Sequence, residues 1–301
     1  MISFGRGKLK IFDGLVILIF FFLAYKLHGL WLVSAWLDRT EFFNDGVYAP
    51  NLVDMIINEV VFPLVLIIVV IGRFRWLYVF YVLLGATVYF TRAGIILFVL
   101  ACIISPAFTN FTKFKIILFG FFASLSILVI RFSGEVPKLE DLILFYLEYP
   151  FVGIGRLLVT DVDHGVNQLS ALSLFFRPVG VFTFSYDYLL GLNGYFSIER
   201  YSGKMLSEFA YIPLLENNFN AFGTIVYPYA LTYGLYFGVL VFIISMTIYY
   251  CSLRLIFYKS VVFRVSLFLC ISGFLFSWNA PFIWLAPFIV RLMFGAAAVR
   301  G

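Results

Sequence analysis

Charged residues are scarce in this chain of 301 residues: Asp, Glu, Lys and Arg make up 12% of it, and hydrophobic residues make up 63%. A soluble globular domain carries about 25% charged residues. So little charge cannot cover a water-exposed surface, which excludes the ordinary soluble enzyme and binding-domain classes. The composition predicts an integral membrane protein.

Cysteine and histidine are scarce as well. Cys102, Cys251 and Cys270 all lie in apolar segments, and His28 and His164 are far apart in the sequence. This pattern suits neither a disulfide framework nor a thiolate metal site, so we interpret the cysteines as small core residues. The chain also lacks a phosphate-binding glycine-rich loop and a dinucleotide fingerprint. No cofactor is expected.

The net charge of +5 does not indicate a nucleic-acid partner, because the positive residues stand mainly at the ends of apolar runs. Three basic residues, Arg6, Lys8 and Lys10, precede a first apolar run that resembles a signal peptide. That run is longer than a signal peptide requires and no small-residue cleavage pattern follows it, so we expect a retained helix.

Apolar runs predict about eight transmembrane helices, because a span needs about 20 apolar residues. The proposed spans are 11–33, 52–71, 76–91, 93–109, 114–130, 225–252, 261–278 and 281–298. With both termini in the cytoplasm, every cluster of Lys and Arg between spans falls on the cytoplasmic side, as the positive-inside rule requires. The prediction is an all-α polytopic protein of the bacterial inner membrane.

One long polar stretch, residues 131–220, interrupts the spans and is placed on the periplasmic side. It holds sixteen of the chain's 37 charged residues. Residues 139–160 have the spacing of two short amphipathic helices lying on the membrane surface, and a small packed cap is the alternative. The expected organisation is one integrated domain, with helices 1–5 in 1–130, the periplasmic loop in 131–220 and helices 6–8 in 221–301.

The motif Thr91-Arg92-Ala93-Gly94 opens the fourth span at the predicted outer face. A guanidinium there is able to grip a diphosphate bidentately, and the small residues after it allow another helix to approach closely. The alternative is an arginine that extends to the lipid headgroups without a chemical role.

A second polar segment leads from the loop into the sixth span. It contains Glu216, Asn217 and Asn220, followed by Tyr227 and Tyr229. Amides and aromatic rings suit the hydroxyls and C–H faces of sugars, so the segment is a candidate sugar-binding face. The alternative is a capped helix start with interfacial tyrosines.

The loop offers further candidate groups. His164 lies beside Asp161 and Asp163, which we interpret as a solvated turn, with acid–base chemistry as the alternative. Cations that could meet a phosphate are Arg156, Arg177, Arg200 and Lys204. No second cluster at metal-ligand spacing accompanies His164, so no metal is expected.

Together these features resemble the repeat-unit polymerases of bacterial O-antigen and capsule (Wzy-type). The likeness rests on the spans that flank one large external loop, on Thr91 to Gly94, and on the segment from Asn220 through Thr224 and Tyr229 to Gly234 and Gly238. The local motifs cover about 30 residues. The family's Arg-x10-Gly pattern is missing from this loop, and eight spans are fewer than many members have.

The resemblance implies a GT-C-like membrane glycosyltransferase that works without metal. It would polymerise oligosaccharide repeat units on undecaprenyl diphosphate at the periplasmic face by inverting transfer. Arg92 would stabilise the leaving diphosphate, and Glu216 or His164 would serve as base. The partners are the lipid-linked donor and acceptor, membrane lipid and a chain-length regulator. An O-antigen ligase, a flippase of lipid-linked oligosaccharide and a structural assembly factor remain as alternatives.

Overall fold

The computed structural model of the chain describes residues 3–32, 52–88, 93–131, 209–212, 217–220, 226, 229–230, 233–276 and 281–294. Within them the fold is helical, apart from one pair of short strands. The elements, numbered in chain order, are α1 (Ser3–Leu32), α2 (Leu52–Ile56), a π-helical segment (Ile57–Val61), α3 (Phe62–Val70), α4 (Trp76–Val88), α5 (Ala93–Ile104), α6 (Asn110–Arg131), β1 (Phe209–Ile212), β2 (Asn217–Asn220), α7 (Leu235–Ile256), α8 (Lys259–Phe276) and α9 (Pro281–Phe294).

The helices follow the predicted spans. Because α2, the π-helical segment and α3 run on without a break, the described helices form eight continuous segments, and each overlaps one predicted span. Two of them are long and apolar enough to cross a membrane: Lys10–His28 within α1, and Leu235–Ile256, which is α7. The helical fold is thus confirmed for the described residues. The count of eight spans stays a prediction.

Both long helices expose their apolar side chains. Only 17% of the apolar stretch of α1 and 22% of that of α7 is buried. On α1, Ile11, Leu18 and Phe21 are each at least 65% exposed, and on α7 Tyr236 is 90% exposed. The core helix of a soluble protein would bury such residues. A continuous apolar surface of this kind needs lipid or another protein to cover it.

The chain divides into two compact units. The first comprises Met1–Pro137, Phe263–Phe268 and Ala286–Gly301, and the second comprises Lys138–Val262 and Leu269–Leu285. The periplasmic loop predicted at 131–220, with its amphipathic helices at 139–160, lies outside the described residues except for the two strands.

In the first unit, α1 and α4 lie side by side and run in the same direction. At one end the Tyr78 hydroxyl donates to Asp13 at 2.9 Å. Farther along, a Cβ built at Gly85 would lie 3.9 Å from Leu23. At the far end Lys26 of α1 contacts Asp54 of α2. Arg75, which follows α3, lies 3.7 Å from Asp13 near the start of α1, so the segment from α2 to α3 runs opposite to α1. This is the direction that the predicted topology requires.

The helix α3 forms the core of the first unit. All residues from Pro63 to Val70 are buried, which explains why this stretch is apolar on every side rather than on one face. Its start lies against the start of α5, where Phe62 approaches Gly94. Its end turns at Gly72, whose φ of +97° favours glycine, beside Pro106 of the α5–α6 connection.

The second unit contains an antiparallel pair that the sequence analysis did not predict. β1 pairs with β2 so that Phe209 lies opposite Asn220 and Ile212 opposite Asn217. The pairing has a local cause, since the aromatic and β-branched residues Phe209, Tyr211 and Ile212 favour extended backbone. The strands are four residues each, too short for a period-2 signal to stand out between long apolar runs.

The predicted span 225–252 begins later than expected, because α7 starts at Leu235. Gly234 precedes it with φ 79° and ψ 162°, a conformation that is nearly restricted to glycine. The helical turn at Tyr229 and Ala230 is thereby separated from α7 and packs against its first turn. A glycine is needed there too, since a Cβ built on Gly238 would lie 2.5 Å from the Tyr229 carbonyl oxygen.

Candidate functional site

Three of the predicted site residues lie within the described part of the chain: Asn217, Asn220 and Tyr229. The others fall outside the described residues, so their roles stay predictions. These are Arg92, Arg156, His164, Arg177, Arg200, Lys204, Glu216 and Tyr227.

Two residues of the predicted sugar-binding segment lie on one short strand. Asn217 and Asn220 both belong to β2, where successive positions alternate between the two faces of the ladder. Positions 217 and 220 are three apart, so they occupy opposite faces. Their side chains lie outside what the structure describes, so their role in sugar binding stays a prediction.

Tyr229 is packed inside the protein. It is fully buried, its hydroxyl lies 3.1 Å from the Ser245 hydroxyl, and its ring meets Phe242 edge-on with centroids 5.3 Å apart. Its backbone carbonyl lies against Gly238. Tyr229 thus fixes the turn before α7 against that helix, and in this arrangement its ring does not face an open groove.

Of the motif from Thr91 to Gly94, the structure describes Ala93 and Gly94. The structure describes α4 up to Val88 and α5 from Ala93. Beside Gly94 lies a small cavity of about 40 Å³, which is enough room for ordered water. Its lining comes from the π-helical segment, α3, α4 and α5, namely Ile57, Asn58, Phe62, Tyr81, Val82, Gly85, Ala86 and Gly94.

Pro63 explains the irregular backbone beside the small cavity. Proline has no amide hydrogen, so the α-helical bond to the carbonyl four residues earlier cannot form, and its ring crowds that carbonyl. The helix widens just before it, and the Phe62 amide bonds the Ile57 carbonyl five residues back. The Tyr81 hydroxyl donates to the same carbonyl at 3.2 Å. Single π-helical turns of this kind are frequent at functional sites.

A buried ion pair lies at the same end of the first unit. Lys26 Nζ is 2.6 Å from each carboxylate oxygen of Asp54. The Asp54 side chain is 1% exposed and that of Lys26 is 20% exposed. Leu23, one helical turn before Lys26, approaches Gly85 in the lining of the small cavity. The pair therefore lies about one turn beyond the cavity.

The sequence analysis missed this pair. The sequence contains an indication of both residues, because Lys26 and Asp54 are charged and each lies inside a predicted span. A charge within an apolar span is costly and marks a functional position by default. The sequence does not show that the two residues pair, since they are 28 positions apart and meet only when α1 packs against α2.

Chemically, this end of the first unit combines one cation, one carboxylate, an amide and a tyrosine hydroxyl. The groups suit an anionic or hydroxyl-bearing ligand held near the start of α5. Among the residues that the structure describes, no group of three His, Cys, Asp or Glu side chains could hold a metal ion. The turn from Asp161 to His164 lies outside them, so metal independence stays a prediction.

A scan of the chain against protein-family models, and searches among curated proteins and solved structures, found no match.

Proposed function

We propose that the chain is a membrane glycosyltransferase that polymerises undecaprenyl-diphosphate-linked oligosaccharide repeat units at the periplasmic face of the bacterial inner membrane. The observation that supports it most is the charged and polar cluster at one end of an apolar helix bundle, where α5 begins. Lys26, Asp54, Asn58 and Tyr81 gather there, and Arg92 directly precedes α5 in the sequence.

A bilayer location is supported by the exposed apolar faces of α1 and α7. At about 25 cal/mol per Å² of apolar surface, covering such faces with lipid is strongly favourable. The polar cluster would then lie at a membrane face, where a substrate anchored by a lipid tail can reach it without leaving the bilayer.

The reaction balances without a cofactor. The acceptor hydroxyl oxygen attacks the anomeric carbon of the first donor sugar while the bond from that carbon to the diphosphate oxygen breaks. The hydroxyl proton passes to a base, for which Glu216 and His164 are the sequence candidates. Cations that neutralise the departing diphosphate lower the barrier most where water is partly excluded. Arg92 is assigned this role, with Arg156, Arg177, Arg200 and Lys204 as further candidates.

The test is the surface-polysaccharide ladder of a deletion strain complemented with variants. We expect Arg92→Lys to leave mostly single repeat units on the lipid core, because the bidentate grip is lost although the charge remains. Arg73→Lys is the matched control, since Arg73 is exposed at the opposite end of the first unit and should support a full ladder. Normal chain length with Arg92→Lys would show that Arg92 only extends to the lipid headgroups, and a full ladder in the deletion strain itself would refute the proposal. Loss of every repeat from the core, with lipid-linked polymer accumulating, would identify a ligase instead.

Transport of lipid-linked oligosaccharide is a second candidate function, which the Lys26–Asp54 pair favours. Flippases and transporters commonly place paired charges inside their spans, as here. Purified protein in vesicles separates the two functions. Movement of a fluorescent lipid-linked oligosaccharide between leaflets without any growth of the glycan would indicate a transporter. Glycan growth on substrate supplied from one side indicates the polymerase.

A further inference from the structure

An apolar groove opens at the end of the first unit opposite to the Lys26–Asp54 pair. It has a volume of about 300 Å³ and lies between α4, α5 and α6. Carbon atoms form nearly all of its walls, from residues such as Val79, Leu83, Phe98 and Phe119. The volume is at the lower end of the range for pockets that hold small molecules.

The groove has one polar end. Thr112 and Lys115 of α6 line it there, next to Trp76 and Phe108. The Lys115 ammonium lies 4.3 Å from the ring centre of Phe111, one turn nearer the start of α6, so it is directed out of the groove. Trp76 is 72% exposed at this end, as an interfacial tryptophan would be.

The groove's length follows from its lining. Thr112 and Gly120 are the first and last α6 residues that line it, and eight residues of helix span about 12 Å. Its deep end is narrow, because a Cβ on Gly120 would lie within contact distance of Val99. A slender apolar chain fits this shape, with a polar group at the end near Lys115.

The charge around the polar end is positive. Arg73 and Arg75 stand in the α3–α4 connection, and Lys113 precedes Lys115 by two residues on α6. Arg75 lies 3.7 Å from the Asp13 carboxylate, which offsets its charge, so Arg73 and the two lysines supply the excess. The residues of the groove include no acidic group. An occupant with a negative headgroup is therefore complementary to this end, whereas a zwitterionic one gains less.

We propose that the groove binds an acyl chain of an anionic phospholipid, with the lipid phosphate held by Lys115. The headgroup end of this site lies at the end of the first unit opposite to the Lys26–Asp54 pair, while its deep end approaches the small cavity, with which it shares Val82. In the predicted topology that end faces the cytoplasmic leaflet, whose anionic lipids attract basic residues close to the membrane.

The full chain, reconstituted into phosphatidylcholine vesicles, allows a direct test with lipids brominated on the acyl chain, which quench nearby tryptophan. Subtracting the signal of Trp76→Phe isolates the quenching of Trp76. We expect brominated phosphatidylglycerol to quench Trp76 at about fivefold lower mole fraction than brominated phosphatidylcholine. The attraction between one basic residue near the membrane surface and an anionic headgroup corresponds to about this factor in affinity.

Two lysines of α6 provide the matched comparison. Lys115→Gln should abolish the preference for phosphatidylglycerol, and Lys113→Gln, which removes the same charge outside the groove lining, should keep it. Val79→Phe retains Lys115 but fills the groove, so it should weaken the quenching by both lipids. Val79→Phe also tests the proposal if Lys115→Gln does not insert into the membrane.

Three results would overturn the proposal. Equal quenching by the two lipids in the unaltered protein would remove the headgroup preference. Equal loss in Lys113→Gln and Lys115→Gln would indicate a general surface charge rather than a site. If neither lipid quenches Trp76 and two copies of the chain cross-link at Trp76, then a second copy covers the groove.

Discussion

At the scale of single residues, the contact between Lys26 and Asp54 carries the greatest energetic consequence. The Asp54 carboxylate is removed from water and Lys26 is partly so, and their attraction offsets that cost only while both are present. Breaking a buried pair by removing one partner costs about 3–5 kcal/mol, whereas replacing both with apolar side chains is often neutral. The pair is therefore a weak argument for stability and a stronger one for function.

We predict that Lys26→Met lowers the free energy of unfolding by about 3 kcal/mol, because the Asp54 carboxylate stays buried without its cation. Combining it with Asp54→Leu should restore most of that loss. Unfolding in mixed detergent micelles, followed by circular dichroism, measures the three variants as a double-mutant cycle.

The double variant also separates structure from function. If it folds like the unaltered protein yet yields a shortened polysaccharide ladder, the pair acts on the substrate or its path. A full ladder would show that Lys26 and Asp54 only stabilise the contact of α1 with α2. Additive effects of the two single changes would contradict the coupling itself.

The residue scale also shows what composition alone leaves open. A polar-aromatic face was predicted from composition near the sixth span, and of its members the structure describes the surroundings of Tyr229, which is buried. Composition reports which groups are nearby in sequence. Whether a tyrosine lines a groove or fills a core depends on what packs against it, here Ser245 and Phe242.

At the scale of elements, the positions of helices were predictable and their exact ends were not. The start of α4 at Trp76 agrees with the predicted span, because the charged residues Arg73 and Arg75 precede this apolar run. The residues before Leu52, Ala93 and Pro281 lie outside the described part of the chain, so those three starts stay predictions. The start of α7 was misplaced, since the run of aromatic residues through Gly234 has no polar break. The left-handed φ of that glycine, not hydropathy, ends the preceding turn.

The close packing of the Tyr229 turn on α7 gives a prediction for Gly238→Ala. The three atoms nearest to an added Cβ are all backbone, at 2.5, 2.7 and 2.8 Å, so no side-chain rotation relieves the clash. The turn must move, and we expect a loss of about 2 kcal/mol in the free energy of unfolding, typical of overpacking.

Gly14→Ala is the control for this change. Gly14 also lies inside a helix, and a Cβ there would have no neighbour within 4 Å. Alanine is a better helix former than glycine by about 1 kcal/mol, so Gly14→Ala should be neutral or stabilising. Thermal unfolding of the two variants in the same detergent measures the difference in their stability. Equal stability of Gly238→Ala and the unaltered protein would contradict the packing described here.

At the scale of the whole molecule, successive membrane spans must alternate in direction, so spans one and three should be parallel and span two should oppose them. In the first unit, α1 and α4 are parallel, as the contacts of Asp13 with Tyr78 and of Leu23 with Gly85 show. The segment from α2 to α3 opposes α1, since Lys26 meets Asp54 at one end and Asp13 meets Arg75 at the other. The positive-inside rule adds the prediction of which end faces the cytoplasm.

Which end of the bundle faces the cytoplasm is open to a direct measurement. With the three native cysteines replaced, single cysteines at Arg73 and Lys259, both exposed, should resist a membrane-impermeant thiol reagent added to spheroplasts. A cysteine at Ser202 in the predicted periplasmic loop should react at once. Permeabilising the membrane should make all three positions reactive, which shows that the protected sites are hidden by the bilayer and not by folding. Outside labelling at position 73 or 259 would reverse the orientation and move the polar cluster around Lys26 away from the periplasm. The polymerase proposal would then fail, because its substrate is expected on the other face.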